Sequence, residues 1–165
     1  MESNITRKDG LTIVQMPDMH LIRFKKTENG YENLMQGKQQ YRLFDTEEGY
    51  VLKDHASGIS MYYRMDGKLS HTEDGNHNRT EYIYEDGVPK RIEYPGGQFL
   101  SFALEHGKIT EITDILGRKL TYEYEGEFLT KATLANGGSI RYEYTPEGYI
   151  RSVTDQNGRT YVVNH

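Results

Sequence analysis

The stretch Gly117-Arg118-Lys119-Leu120-Thr121-Tyr122-Glu123-Tyr124-Glu125-Gly126 decides how the chain is read. Leu120, Tyr122 and Tyr124 alternate with Lys119, Thr121 and Glu123. A period of two places alternate side chains on opposite faces, which is the signature of a strand with one covered and one wet face. Tyr142 and Tyr144 repeat Tyr122 and Tyr124 within Gly138-Ser139-Ile140-Arg141-Tyr142-Glu143-Tyr144, and Tyr82 and Tyr84 do so upstream within Arg79-Thr80-Glu81-Tyr82-Ile83-Tyr84. Each such strand runs into a turn, because Glu85-Asp86-Gly87, Glu125-Gly126 and Thr145-Pro146-Glu147-Gly148 follow directly. Glycine reaches the positive φ that tight hairpin turns demand.

Working outward, the turn glycines form a ladder along the whole chain. Gly10, Gly30, Gly49, Gly67, Gly87, Gly107, Gly126 and Gly148 are separated by 20, 19, 18, 20, 20, 19 and 22 residues. A second ladder, Gly58, Gly97, Gly117, Gly138 and Gly158, runs about ten residues behind. The spacing predicts about eight β-hairpins, each a repeat of roughly 20 residues. Most first-ladder glycines carry an apolar residue at +2 (Val51, Leu69, Ile109, Phe128, Ile150), and several carry another at +5 (Ile92, Ile112, Val153). Those positions have opposite parity, so a recurring bulge or an early end to pairing is expected. One hairpin cannot bury its own core, so stability must come from stacking on neighbours. The predicted fold is all-β: an elongated, curved antiparallel sheet of successive hairpins. Met16-Pro17-Asp18 and Tyr94-Pro95-Gly96-Gly97 are expected breaks, since proline removes a ladder donor. Residues 1–37, where Ile13, Ile22 and Phe24 stand at the tyrosine positions, are expected to be atypical repeats or a cap, with the array proper over 38–165.

Composition agrees. Of 165 residues, 14 are Tyr, 14 Thr and 17 Gly, against only 4 Ala. β-Branched and aromatic residues lose side-chain freedom in helices and favour strands. Leu, Ile, Val and Phe total 34, so the tyrosine rings are needed to supply apolar bulk. Mean hydropathy is −0.81, and no apolar run approaches the roughly 20 residues of a membrane helix. Zero Cys excludes disulfides, thiol catalysis and cysteine-bound zinc, and a net charge of −5 argues against nucleic acid, which needs a concentrated basic face.

Tyr-x-Tyr, an acidic turn ending in Gly, an apolar residue at +2, and then Thr/Ser-x-x-Asp-x-x-Gly resembles the RHS (rearrangement hot spot), or YD, repeat. Tyr142-Glu-Tyr-Thr-Pro-Glu-Gly-Tyr-Ile-Arg-Ser-Val-Thr-Asp-Gln-Asn-Gly158-Arg is a near-complete copy, and Ile109-Thr-Glu-Ile-Thr-Asp-Ile-Leu-Gly117-Arg is another. The resemblance covers about residues 38–163. The Asp of the Tyr-Asp dipeptide is absent, since Glu85, Glu125 and Thr145 follow the second tyrosines. The chain stops in Gly158-Arg-Thr-Tyr-Val-Val-Asn-His165, half of a further unit, which suggests a fragment of a longer protein. What the resemblance implies is a structural role. Such repeats build β-shells in bacterial polymorphic toxins and wall-associated proteins, enclosing or presenting a toxin or effector domain, at the cell surface or secreted with the parent protein. The implied partners are further repeats and that enclosed domain. Residues 1–7 carry no apolar signal-peptide stretch. A truncated array leaves raw sheet edges, so an edge-strand homodimer is expected.

No catalytic, cofactor-binding or metal-binding residues are expected. His71 and His77 flank Glu73 and Asp74 but match no standard ligand spacing. Glu81, Glu123 and Glu143 occupy equivalent repeat positions, which suits a solvated face paired with Arg79, Lys119 and Arg141, since a catalytic site is normally unique. The residues singled out are the eight first-ladder glycines and the ladder Tyr82, Tyr84, Tyr122, Tyr124, Tyr142 and Tyr144. The tyrosines are read first as core, and alternatively as a carbohydrate- or protein-binding face.

Overall fold

The computed structural model describes residues 3–164; Met1, Glu2 and His165 lie outside the described residues. Among the described residues every helix or strand element is a strand, and neighbouring strands pair antiparallel. They divide into a four-stranded and a thirteen-stranded sheet, each with its strands in sequence order. The expectation of an all-β chain of successive antiparallel hairpins therefore holds. In place of one sheet there are two, because the first four strands form a ladder among themselves, touch the larger sheet's backbone through a single Asn4–Lys68 bridge, and use their apolar face for stacking. Two compact units can be described: residues 1–83 with 93–97, and residues 84–92 with 98–165.

The first unit begins with the four-stranded sheet: β1 (Asn4–Lys8), β2 (Leu11–Gln15), β3 (Leu21–Thr27) and β4 (Gly30–Asn33). It continues with β5 (Tyr41–Thr46), β6 (Gly49–Asp54), β7 (Ile59–Arg64) and β8 (Leu69–Glu73), which open the larger sheet; β9 (Arg79–Glu85) follows. Period two decides the inward set. Ile5, Val14 and Ile22 are aligned across β1–β3, and Phe24 lies opposite Thr12 on the same face. They meet Leu43, Leu52 and Met61, aligned across β5–β7, and Tyr50 and Tyr63 beside them. Phe24, Ile22, Leu52, Leu69 and Val14 are the largest fully buried apolar side chains. Each contributes about 1.5–3 kcal/mol by leaving water. Ile13, expected inward, lies opposite Thr6 and Arg23 on the other face, and Val14 takes the core position.

The closest backbone approach between the two sheets is made at a glycine. The Ile5 N–H donates to the Gly67 carbonyl at 2.8 Å, and Asn4 bridges to Lys68. A Cβ on Gly67 would sit 2.0 Å from the Ile5 carbonyl oxygen, and its φ is +86°. Only glycine permits both the turn and the close approach. Ser3 completes the seam: its hydroxyl donates to the Gln15 carbonyl and shares a 2.6 Å hydrogen bond with the buried Tyr63 hydroxyl. Burial is what pushes the Tyr63 phenol far above its ordinary pKa.

In the second unit the strands are β10 (Val88–Glu93), β11 (Phe99–Glu105), β12 (Lys108–Asp114), β13 (Lys119–Glu125), β14 (Phe128–Thr133), β15 (Ser139–Tyr144), β16 (Ile150–Thr154) and β17 (Thr160–Val162). Here no second layer covers the sheet: Ala132 and Ser152 are the buried residues among those described. Phe102 pairs with Ile112 and Ile112 with Leu120, while Tyr122 pairs with Ala132 and Ala132 with Ile140, so these share one face. Tyr142, Val153 and Tyr161 extend it. The opposite face carries Glu123, Lys131, Arg141 and Thr154 in one row.

Candidate functional site: clefts between successive hairpins

Within the hairpins β11–β12, β13–β14 and β15–β16, pairing runs nearly the whole strand length, but it shifts by one residue partway. Thr110 is skipped between Ile109 and Glu111, Thr130 between Leu129 and Lys131, and Arg151 between Ile150 and Ser152. The same shift skips Ser70 in the first unit. This recurring bulge resolves the parity conflict of the sequence. With Thr110 skipped, Ile109 faces Leu104 while Ile112 faces Phe102, so both apolar residues share one side. The skipped threonines are not idle: Thr110 Oγ1 donates to the Ala103 carbonyl at 3.3 Å and Thr130 Oγ1 to the Glu123 carbonyl at 3.1 Å. Each satisfies a carbonyl where the ladder is disturbed.

Between hairpins, pairing is much shorter. β12 and β13 share three pairs, 111–113 with 119–121, and β14 and β15 share three, 131–133 with 139–141. Beyond those pairs the hairpins part, leaving clefts toward the first-ladder turns. Across the β12–β13 and β14–β15 clefts a tyrosine replaces the missing main-chain bonds. Tyr124 Oη donates to the Ile109 carbonyl at 2.7 Å, and Tyr144 Oη donates to the Leu129 carbonyl at 2.7 Å. Both reach fifteen residues back, to the residue just before the bulge. The Phe128 ring packs on Tyr144 with centroids 4.8 Å apart.

Three clefts recur along this unit. One is lined by Glu85, Val88, Lys90 and Leu104; the next by Glu105, Lys108, Thr110, Tyr122 and Tyr124; the third by Glu125, Phe128, Thr130, Tyr142 and Tyr144. Glu85, Glu105 and Glu125 are one position copied at intervals of twenty, as are Val88, Lys108 and Phe128. The last two clefts enclose about 630 and 510 Å³.

The residues singled out from the sequence fall as follows. All eight first-ladder glycines have positive φ, though in different turns: Gly87 and Gly107 follow another positive-φ residue (Asp86, His106) in two-residue loops, while Gly67 closes a longer one. In the second ladder the left-handed residue near 138 is Gly137, not Gly138. Its N–H donates to the Leu134 carbonyl, as the Gly117 and Gly158 N–H groups donate to Asp114 and Asp155. All six ladder tyrosines are half-buried. Tyr82 packs against the core of the first unit, and the other five belong to the second.

Charged partners differ from the expected pairs. Glu123 meets Lys131 at 3.4 Å, Lys119 meets Glu111 at 2.9 Å, and Glu143 accepts from Ser152 at 3.0 Å. Arg79 does pair with Glu81, at 3.0 Å. The Asp-x-x-Gly turns use their aspartates as backbone acceptors: Asp114 takes the N–H of Leu116 and of Arg118, and Asp155 that of Asn157 and of Arg159. Asp74 does the same with Asn76 and Asn78, and these bonds hold its carboxyl below the usual range, led by the Asn78 side chain. His71 stacks on Tyr62 at 4.3 Å, and His77 bonds Glu73 at 2.7 Å. Among the described residues, no group of three His, Asp or Glu side chains is placed to hold a metal ion. The chain matches no protein-family profile and shows no significant similarity to a curated protein.

Proposed function

We propose that this chain is a non-enzymatic structural repeat module, part of the β-shell wall of an RHS/YD-repeat protein of bacterial polymorphic-toxin or wall-associated type. In this reading it encloses or presents a toxin or effector domain of the same parent, outside the cell. The observation that carries it is the tyrosine bond repeated across successive clefts: the side chain that defines the repeat is spent on joining one hairpin to the next. Supporting it, the carboxylates of the motif recur at equivalent positions with salt-bridge or turn-forming partners, which is the pattern of a scaffold. The test is protection from protease. The segment that follows the repeats in the parent polypeptide should survive at least tenfold longer in the intact protein than when expressed alone. Equal lifetimes overturn enclosure.

A second reading, a module that binds carbohydrate or protein through its Tyr-rich side, is favoured by the aromatic walls of the clefts, which remain half-exposed. Binding of an oligosaccharide or peptide, lost on Tyr142→Ala in a protein that stays folded, would support it over a purely structural role.

A further inference from the structure

We propose that Asn157-Gly158, in the turn between β16 and β17, is a site of spontaneous deamidation whose product unfastens β17. The inference is independent of the wall and binding readings.

The chain holds three Asn-Gly dipeptides, at 29–30, 136–137 and 157–158, and all three asparagines are exposed. With no Cβ on the following residue, the glycine nitrogen can approach the asparagine side chain closely. The step takes in water and gives out ammonia. The Gly158 nitrogen yields its proton to hydroxide and attacks Cγ of Asn157. The Cγ–Nδ2 bond breaks, and ammonia leaves once the departing nitrogen has taken a proton from water. Water then opens the five-membered imide at either carbonyl, leaving aspartate or isoaspartate at 157.

Sequence makes the three sites equal, and the fold separates them. Asn136 and Asn157 hold the same place in equivalent turns: the Gly137 N–H donates to the Leu134 carbonyl and the Gly158 N–H to the Asp155 carbonyl, each at 3.0 Å. The residue that opens the turn decides the rest. Asp155 Oδ1 takes the N–H groups of Asn157 and Arg159, both at 2.9 Å, so the Asn157 side chain is left with no hydrogen-bond partner among the described residues. Leu134 offers no carboxylate. There Asn136 Oδ1 itself takes the Gly138 N–H at 2.9 Å, and Asn136 Nδ2 donates to Gln156 Oε1 at 3.3 Å. A side chain held at both ends does not turn its Cγ toward the glycine nitrogen. At the third site Gly30 is already a strand residue, paired with Thr27, whose Oγ1 donates to the Gly30 carbonyl at 3.1 Å.

Attack also requires that Gly158 release the Asp155 carbonyl, and such opening is cheapest at the margin of a sheet. β17 has three pairs, all with β16, whereas the turn at 136 joins β14 to β15, each of which has a paired strand on its other side. Isoaspartate adds one carbon to the main chain inside the turn and sets a second carboxylate beside Asp155. The bonds from residues 157 and 159 to Asp155 are then lost, and with them the register of β17.

Trypsin places each dipeptide in its own peptide, 27–38, 132–141 and 152–159. The experiment holds the full chain in mildly alkaline buffer for days and follows the one-dalton gain of deamidation in each peptide. Peptide 152–159 is expected to convert at least fivefold faster than the other two, giving both aspartate and isoaspartate, and in urea the three rates should converge. Leu134→Asp supplies the missing acceptor and should raise the rate at 136 at least threefold. Amide exchange at 160–162 should quicken in the converted fraction. Equal rates in the folded chain, or a faster rate at 136, would overturn the proposal. So would the same order of rates in urea, or conversion at 157 that leaves exchange in β17 unchanged.

Discussion

The tyrosine hydroxyls of the clefts join hairpins that backbone pairing leaves apart. Tyr124→Phe and Tyr144→Phe keep the rings and remove only the donors, so each should lower unfolding free energy by about 1 kcal/mol in urea titrations. Glycine positions separate by what surrounds them. Gly117 has φ +78° with open space beyond, so Gly117→Ala should cost about 1–2 kcal/mol from backbone strain alone. Gly67→Ala meets the Ile5 carbonyl as well and should cost clearly more, with faster amide exchange along β1 as its signature. Alternation at Leu120, Tyr122 and Tyr124 was legible because one period rules a strand, and the bulge was legible because Ile109 and Ile112 disagree in parity. The identity of the left-handed residue at Gly137-Gly138 was not, since two adjacent glycines are equal in sequence and only the Leu134 carbonyl chooses between them.

Elements differ in how they respond to pH. His71 on β8 stacks on Tyr62 of β7 and faces Arg79 and Glu81 of β9, Glu73 on its own strand and Glu48 in the β5–β6 turn; Ser70 Oγ lies 3.1 Å from its Nδ1. Burial first, and Arg79 second, depress its pKa against the opposing pull of the glutamates. The unfolded chain, with an ordinary histidine near 6.5, then takes up the proton first. Stability from this group is present above that value and is lost as pH falls through the window below it. The urea midpoint should drop between pH 7 and 5, and His71→Phe, which keeps an aromatic stack, should flatten that drop. A second loss belongs to lower pH, where Asp45 protonates. The hydrogen bond from Lys26 leads in depressing its pKa, aided by the Tyr31 hydroxyl at 2.7 Å, so its contribution disappears only on passing below the ordinary carboxylate range. None of this was legible beforehand, because His71 and Glu48 are brought together only by the pairing of β6 with β7 and β7 with β8. The clefts were hidden for a similar reason. Sequence shows where strands are, whereas the three-pair limit between β12 and β13 is a property of how twisted hairpins meet.

At the scale of the molecule, the two units rest on different physics. The first has stacked layers and a dry interior, so Leu52→Ala should cost about 2–5 kcal/mol. The second has water on both sides, so truncating half-buried Ile140 to Ala should cost only about 1 kcal/mol, and its amides should exchange sooner. At its margin, β17 presents Tyr161 at 56% and Val162 at 70% exposure, a surface suited to pairing with another copy. Light scattering of the chain should show concentration-dependent association that Val162→Lys suppresses. The fifteen-residue reach of each tyrosine has a further consequence for how such a chain can lengthen or shorten. Cutting out 125–144 would splice Tyr124 directly onto Thr145, where it inherits the neighbours of Tyr144 with every later side chain still on its proper side. Excising ten residues instead would invert a strand's direction and leave the next ring without an acceptor. Growth and loss by whole units are thus nearly silent, a property that the wall role proposed above would require.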